Sequence, residues 1–329
     1  MQANHQKIVV LGTGGTIAGE SESADEGLSY KAAQRGIGEL LKSVGGTNSL
    51  WPEVLKACQF EAEQVAQLDS KDMDFETWTR LAMRCDHWLA QDDVAALVIT
   101  HGTDTLEETA YFLSQVLSPS KPIVFTCAMR PANFKDADGP QNLRDALIVA
   151  ASTKAHGVWL VAAGEIHHSQ FVQKVHPTRL NAFDSGETGA AGRVQDDQVH
   201  WFETFSKPLP NLRFQVADLP SIKQWPWVEI VMNHVNANQQ HVDALVNAGV
   251  QGLVIAGTGN GSVSSKMKES LVRAQVAHVQ IRLSSRCNQG AVIPTSSHVF
   301  DASAALSPVK TRVALLLDIL SRQQSHWPQ

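Results

Sequence analysis

The sequence predicts an α/β protein, with a larger N-terminal domain whose mainly parallel sheet is covered by helices and a smaller C-terminal α/β domain. Short β-branched runs alternate with helical stretches, which is typical of a parallel sheet covered on both faces. Four prolines between residues 205 and 227 interrupt this pattern, and 329 residues suit about two domains. We therefore assign residues 1–206 to the first domain, 207–227 to a linker and 228–329 to the second domain.

The predicted elements repeat one theme, a buried strand that ends in glycine and threonine. The first strand, residues 7–11, runs into the small-residue loop 12–19. Further strands of the first domain are predicted at 58–68, 94–100, 122–127 and 157–163, with helices at 33–41 and 74–90, one through 111 to 117 and one ending at 151. The second domain is predicted to contain strands at 252–256 and 279–283, a helix ending near 277 and a helix at 311–322. Residues 19–31 lack hydrophobic periodicity, so we expect an exposed loop there.

The loop 12–19 matches neither of two common phosphate-binding loops. The dinucleotide fingerprint needs glycine at its first, third and sixth positions, but Ile17 stands at the sixth. A P-loop needs a lysine in this region, and none is present. Because ligands of open α/β sheets bind beyond the carboxyl ends of strands, the loop is our first candidate for an active site. From this stretch alone, a tight turn whose threonines have no chemical part remains an equal alternative.

Composition and charge favour a soluble cytoplasmic protein with a small-molecule partner. The net charge is −6, no basic block suggests a nucleic-acid or membrane surface, and no apolar run approaches the ~20 residues of a membrane helix. The N-terminus enters the first strand without a signal sequence, which leads us to expect the cytoplasm. The histidines show no ligand spacing, so we expect no metal. No Cys-x-x-Cys pair occurs among the cysteines, which are Cys58, Cys85, Cys127 and Cys287.

Polar side chains gather at the predicted strand ends, and two more candidates lie elsewhere. The first set is Thr16, Ser70, Thr103, Asp104 and Asn260, and the second is Tyr30 and Lys154. A threonine nucleophile needs a proton acceptor, and an oxyanion needs donors such as the backbone N–H groups of Gly14 and Gly15. A lysine whose pKa is lowered by burial is able to take a hydroxyl proton. This inventory indicates acyl transfer, although Asp104 and Tyr30, taken singly, are also compatible with helix caps.

Four segments carry a resemblance to a known family. They are TGGTIAG at 13–19, ITHGTDTLEETA at 99–110, AMRP with ADGP at 128–131 and 137–140, and SSR at 284–286. These segments resemble the signatures of the bacterial L-asparaginase and asparaginase-glutaminase family, and the match runs from residue 7 to the C-terminus. The resemblance implies hydrolysis of the side-chain amide of asparagine, often of glutamine as well, to the acidic amino acid and ammonia. It implies an acyl-enzyme and no cofactor.

The resemblance also implies catalytic roles. Thr16 matches the threonine that attacks the amide carbon, and Tyr30 matches the lid tyrosine that helps to activate it. Thr103 matches a second threonine that joins a lysine, for which Lys154 is our candidate. Asp104 matches the carboxylate that holds the α-amino group of the substrate.

Other matches surround the substrate. Ser70 matches a contact to the α-carboxylate, and the carbonyl of Ala128 matches the acceptor for the side-chain amide. Lys71 either strengthens carboxylate binding or faces water. Asn260 and Ser262 match positions that reach the site from the C-terminal domain of a neighbouring subunit. The resemblance therefore implies a homo-oligomer, usually a tetramer built as a dimer of dimers with shared sites.

Alternatives to an asparagine-specific enzyme stay open at this stage. One is a glutaminase-asparaginase, because Ser262 leaves room for the longer substrate. Another is a non-catalytic amino-acid sensor that keeps the pocket, and the family's glutamate after Ser-Ser-Arg is missing from residues 287–293. A third, the amidase subunit of a transfer-RNA amidotransferase, is disfavoured because the sequence has no basic patch.

Overall fold

The computed structural model describes residues 6–23, 29–45, 51–117, 119–203, 214–221, 224–296, 298–303 and 305–324. The chain divides into two compact units, Met1–Ala217 and Asp218–Gln329. The boundary between the units falls inside the stretch 207–227. Within the described ranges, no helix is long and apolar enough to cross a membrane.

The first unit is organised around one large sheet. The strands of this unit are β1 (Gln6–Gly14), β2 (Cys58–Leu68), β3 (Val94–Thr100), β4 (Ile123–Thr126), β5 (Val158–Ala162), β6 (Glu165–His168), β7 (Gln173–Lys174), β8 (Phe183–Asp184), β9 (Gly192–Gln195) and β10 (Gln198–Trp201). Eight of them pair in the order β10-β9-β6-β5-β4-β3-β1-β2. Pairing is parallel from β2 to β5 and antiparallel from β5 to β10. β7 and β8 form a separate two-stranded ribbon.

Helices cover this sheet, and its central strands are buried on both faces. The helices are α1 (Ile37–Gly45), α2 (Glu53–Lys56), α3 (Phe75–Leu89), α4 (Leu106–Val116) and α5 (Gly139–Ala150). Ile8 and Val10 share one hydrophobic core with side chains of α1 and α5. Val9 and Leu11 point to the opposite face, because side chains alternate along a strand, and they are also fully buried. The predicted buried strand and the α/β class are confirmed.

The second unit is a smaller parallel α/β unit. Its strands are β11 (Val228–Met232), β12 (Gly252–Gly257) and β13 (Gln280–Ser285), and its helices are α6 (Gln240–Asn247), α7 (Ser265–Val276) and α8 (Pro308–Gln324). β12 lies between β11 and β13. Leu253 and Ile255 of β12 pack with Leu271 of α7 in a buried core. A Ser264 N-cap, whose hydroxyl accepts from the N–H of Met267, starts α7.

Two features of the first unit differ from the prediction. The helix predicted at 33–41 begins only at Ile37, because the residues before it hydrogen-bond to the loop after β1. The N–H of Ala33 donates to the carbonyl of Gly15 at 3.1 Å, and the N–H of Arg35 donates to that of Ala18 at 2.9 Å. The antiparallel extension through β6, β9 and β10 is absent from the predicted elements, since strands of four residues carry little periodicity.

Candidate active site

Three loops meet at the carboxyl edge of the large sheet. They follow β1, β2 and β3, which are neighbours in the sheet. Gly15 has a φ of +80°, and a Cβ there would lie 2.3 Å from Gly102 Cα. A Cβ on Gly102 would lie 2.5 Å from Ser70 Oγ. Glycine at these two positions permits a backbone approach that any side chain would block, so the loops carrying Thr16, Ser70 and Thr103 touch one another.

The structure brings Thr16 and Tyr30 together. Thr16 begins a short 3-10 turn directly after β1 and is only 5% exposed. Its Oγ1 atom lies 2.7 Å from the hydroxyl oxygen of Tyr30. Two backbone hydrogen bonds between Glu20 and Lys31, of 2.9 and 2.8 Å, close the base of the segment that carries Tyr30. Because α1 begins only at Ile37, Tyr30 is not its cap, and its phenol is placed to exchange a proton with Thr16.

A second polar cluster joins Thr103, Asp104 and a lysine. The ammonium of Lys174 donates to Thr103 Oγ1 at 2.8 Å and to Asp104 Oδ1 at 2.6 Å. Thr103 is 6% exposed and the Lys174 side chain 16%, whereas the Asp104 side chain is 54% exposed. The hydroxyl and the amine are therefore largely shielded from water, while the carboxylate remains open to a ligand ammonium group.

This cluster corrects the prediction of Lys154. Lys154 is exposed in the turn after α5, and the amine at Thr103 belongs to Lys174 in β7. The chain passes through β5 and β6 before it reaches that position. The N–H of Lys174 also donates to Glu107 Oε1 at 3.3 Å, which ties β7 to the first turn of α4. Lys174 is the only lysine from residue 155 to 206. The sequence would therefore have identified it if the lysine had been expected after the fifth strand.

Ser70 supports the loop that carries the second cluster. It is 2% exposed, its Oγ accepts from the N–H of Asp104 at 3.2 Å, and its carbonyl accepts from Thr105 Oγ1 at 2.7 Å. Its neighbour Lys71 forms an ion pair with Asp69, and that hydrogen bond raises the pKa of the Lys71 amine. Because the Lys71 side chain is 62% exposed and its charge is partnered, the structure favours the expectation that it faces water.

One of the two glycine donors expected for an oxyanion is already used within the fold. The N–H of Gly15 donates to the carbonyl of Leu68 at 2.9 Å and is committed to the edge of the sheet.

Sequence reasoning also missed His101, which is fully buried next to Gly102. Burial lowers the pKa of His101 to about 4, so the ring is neutral at pH 7, and its Nδ1–H is placed to donate to the Gly102 carbonyl at 2.7 Å. His101 therefore shapes the loop without adding charge.

Ala128 lies in a buried turn directly after β4. Both Ala128 and the preceding Cys127 are almost completely buried. Burial strongly raises the pKa of the Cys127 thiol, so this cysteine is a packing residue and not a thiolate nucleophile. The start of α5 packs against the turn, because a Cβ at Gly139 would lie 3.4 Å from the Cβ of Ala128.

The candidates in the second unit lie just after β12. Both amide atoms of Asn260 bond to the backbone of Ile293: Nδ2 donates to its carbonyl at 2.9 Å, and Oδ1 accepts from its N–H at 2.7 Å. The N–H of Ser262 donates to the carbonyl of Thr258 at 2.8 Å, and the Ser262 side chain is exposed. In this chain Asn260 therefore fixes the segment around Ile293.

Family models match both units of the chain. The model described as "Asparaginase, N-terminal" matches residues 7–207, and the model described as "Glutaminase/Asparaginase C-terminal domain" matches residues 227–326. Together these matches cover most of the 329 residues. The family that the sequence motifs suggested is thus supported across both units.

Relatives and a solved structure agree with the family models. A probable periplasmic L-asparaginase of Haemophilus influenzae is 38% identical, over 96% of this chain and 89% of its own. A glutaminase-asparaginase of Pseudomonas fluorescens is 36% identical, over 97% of this chain and 87% of its own. The crystal structure of a probable cytoplasmic L-asparaginase from Campylobacter jejuni is 33% identical and superposes with a TM-score of 0.87, over 97% of this chain and 98% of its own.

Proposed function

Because the chain belongs to the asparaginase family, we propose that it is an L-asparaginase, which hydrolyses the side-chain amide of L-asparagine to L-aspartate and ammonia. The observation that carries this proposal is the 2.7 Å contact between Thr16 Oγ1 and the Tyr30 hydroxyl, at the carboxyl edge of the sheet. A buried threonine hydroxyl beside a proton-exchanging group is what a threonine nucleophile requires. The relatives named above act, by their names, on asparagine or on both amides.

In the proposed reaction Thr16 forms an acyl-enzyme. Its Oγ1 bonds to the amide carbon while its proton leaves through the hydrogen bond to Tyr30, whose phenol is exposed enough to pass a proton to water. The tetrahedral intermediate then breaks its C–N bond, and the nitrogen takes up the proton that Thr16 released and departs as ammonia. A water molecule adds to the acyl carbon and loses a proton, the bond to Thr16 breaks as Oγ1 takes a proton back, and aspartate is released.

The second cluster has two proposed tasks. Lys174 and Thr103 share a hydrogen bond at 2.8 Å and form a proton relay, in which the Lys174 ammonium gives a proton through the Thr103 hydroxyl and later takes one back. Asp104 is open to solvent and receives the α-amino group of the substrate, since charge-assisted hydrogen bonds are the strong ones. Ser70 contacts the α-carboxylate, and the carbonyl of Ala128 accepts an N–H of the side-chain amide.

The quaternary arrangement is also a proposal. We propose a homotetramer, a dimer of dimers, in which Asn260 and Ser262 of one subunit complete the site of another. Residues 207–227 are proposed to link the two domains, in agreement with a unit boundary at residue 217. Sedimentation of the full chain tests the assembly. A fully active monomer would contradict the proposed tetramer.

Glutamine is the second candidate substrate. One relative is named glutaminase-asparaginase, and the Ser262 side chain is small and exposed.

We also propose a cytoplasmic location for asparagine catabolism, because the Campylobacter protein is named a probable cytoplasmic enzyme, although the Haemophilus relative is named periplasmic. Fractionation of producing cells decides the location.

Ammonia release tests the proposed function. Asparagine and glutamine are assayed in parallel over a range of concentrations, with Thr16→Ala as the blank and Thr16→Ser as the matched variant that keeps a hydroxyl. We expect turnover of asparagine by the wild type, partial turnover by Thr16→Ser and none by Thr16→Ala. Absence of ammonia from either amide with the wild type would favour a non-catalytic sensor.

A further inference from the structure

The turn that carries Ala128 is held by two side chains from the start of α5. The carboxylate of Asp138 accepts from the N–H of Met129 at 2.9 Å and from the N–H of Arg130 at 3.0 Å. The Nδ2 group of Asn142, one helical turn later, donates to the carbonyl of Cys127 at 3.0 Å. It also donates to Asp138 Oδ2 at 3.1 Å, so the two anchoring side chains are bonded to each other.

These bonds fix the two peptide groups on either side of Ala128. In a trans peptide the carbonyl and the N–H point in opposite directions within one plane. Because the N–H of Met129 points at Asp138, the carbonyl of Ala128 in the same peptide group points away from Asp138. Because the carbonyl of Cys127 points at Asn142, the preceding peptide group is fixed as well. The direction of the Ala128 carbonyl is therefore set by Asp138 and Asn142.

The anchors are themselves rigid. Asn142 is 3% exposed, and its Oδ1 accepts from the N–H of Ala163 at 3.0 Å, so its amide is bonded at both ends. A Cβ on Gly139 would lie 3.0 Å from a side-chain carbon of Ile17, which places the start of α5 against the turn that begins at Thr16. A negative carboxylate bonded to an N–H also polarises that peptide group and strengthens its carbonyl as an acceptor.

We propose that Asp138 and Asn142 are positioning residues for amide hydrolysis, which aim and polarise the Ala128 carbonyl toward the leaving amide group. The inference rests on the proposed function, in which that carbonyl accepts an N–H of the substrate. It differs from a purely structural role in one respect. It requires that substrates with an N–H on the leaving group depend on these residues more than substrates without one.

The test compares an amide with an ester. L-Asparagine has an N–H on its leaving group, whereas the β-methyl ester of L-aspartate has none. Asp138→Asn keeps the shape of the side chain but removes its charge and one acceptor oxygen. We expect kcat/KM for asparagine to fall roughly 10- to 100-fold, as for other misplaced catalytic groups, and kcat/KM for the ester to change less than about 3-fold. Asn142→Ala removes the other anchor and is expected to give the same split.

The matched control is Asp145→Asn, the same chemical change farther along α5. Asp145 bonds to Gln141, and none of its described contacts reaches residues 127–130, so both rates should stay at the wild-type value. Equal losses on amide and ester, or no loss in either anchor variant, would overturn the inference. A wild type that hydrolyses the ester but not asparagine would instead overturn the proposed function. Thermal unfolding of each variant shows that the compared proteins are folded.

Discussion

Replacement of Lys174 by methionine tests whether the second cluster takes part in the chemistry. Lys174→Met keeps the length of the side chain and removes the ammonium that donates to Thr103 and Asp104. Lys154→Met is the matched control, because Lys154 is the lysine that the sequence suggested and it lies exposed after α5. The two variants lose the same charge and differ only in where the lysine stands.

The expected loss of activity is larger than any loss of stability. A positioned group that donates or accepts a proton contributes roughly 10²- to 10⁴-fold to a rate, which corresponds to about 3 to 5 kcal/mol in the activation free energy. In the folded state the variant loses a hydrogen bond to Thr103, worth about 1 kcal/mol, and an ion pair with the half-exposed Asp104, worth at most about 1 kcal/mol. Lys174→Met should therefore stay folded and be almost inactive.

Steady-state ammonia release and urea unfolding measure the two quantities separately. We expect Lys174→Met to retain less than about a hundredth of the wild-type kcat, and Lys154→Met to retain all of it. If Lys174→Met keeps most of its activity, the relay between Thr103 and Lys174 is wrong. If Lys154→Met loses as much as Lys174→Met, the assignment of the lysine from the geometry is wrong.

Two further predictions concern the fold. Gly15→Ala should reduce the free energy of unfolding by more than about 3 kcal/mol, because backbone strain at φ +80° adds to the clash of a Cβ 2.3 Å from Gly102. The control Gly157→Ala, at φ +89° with no atom near the added Cβ, should cost only about 1 kcal/mol. Urea unfolding measures both, and similar costs would contradict the close approach of Gly15 to Gly102. Burial raises the pKa of Asp145 to about 6 from about 3.9 in the unfolded chain, so stability should fall as pH rises between these values. Asp145→Asn should remove up to ~3 kcal/mol of that pH dependence, and an unchanged pH profile would contradict it.

The sequence was sufficient for the parts of the site that follow buried strands. Thr16 and Thr103 lie in the loops that follow β-branched runs, and neighbouring parallel strands present their carboxyl ends at one edge of the sheet. The contact between Thr16 and Tyr30 required the family resemblance, because an exposed loop has no periodicity that fixes a side chain. The close approach of Gly102 to Gly15 was not predictable, because it depends on the order of strands in the sheet and has no local signal in the sequence.

Lys174 was missed because of the chain's path through the antiparallel extension of the sheet. The sequence offered Lys154 close to the expected position, and the short strands β6 and β7 that carry the chain to Lys174 have too few residues to show a pattern. Asn142 was likewise not predicted as an anchor, since an asparagine inside a helix shows no sign of the tertiary bonds that it makes with Cys127 and Ala163. Both side chains contact residues that are distant in sequence, and no local pattern predicts such contacts.

Detection of the acyl-enzyme tests the central claim most directly. The wild type is mixed with asparagine, quenched within its first turnovers and digested, and the peptides are examined by mass spectrometry. The proposed mechanism predicts a β-aspartyl group on the hydroxyl of Thr16, present in the wild type and absent from Thr16→Ala. An acyl group on Thr103 instead, or turnover by Thr16→Ala at the wild-type rate, would contradict Thr16 as the nucleophile.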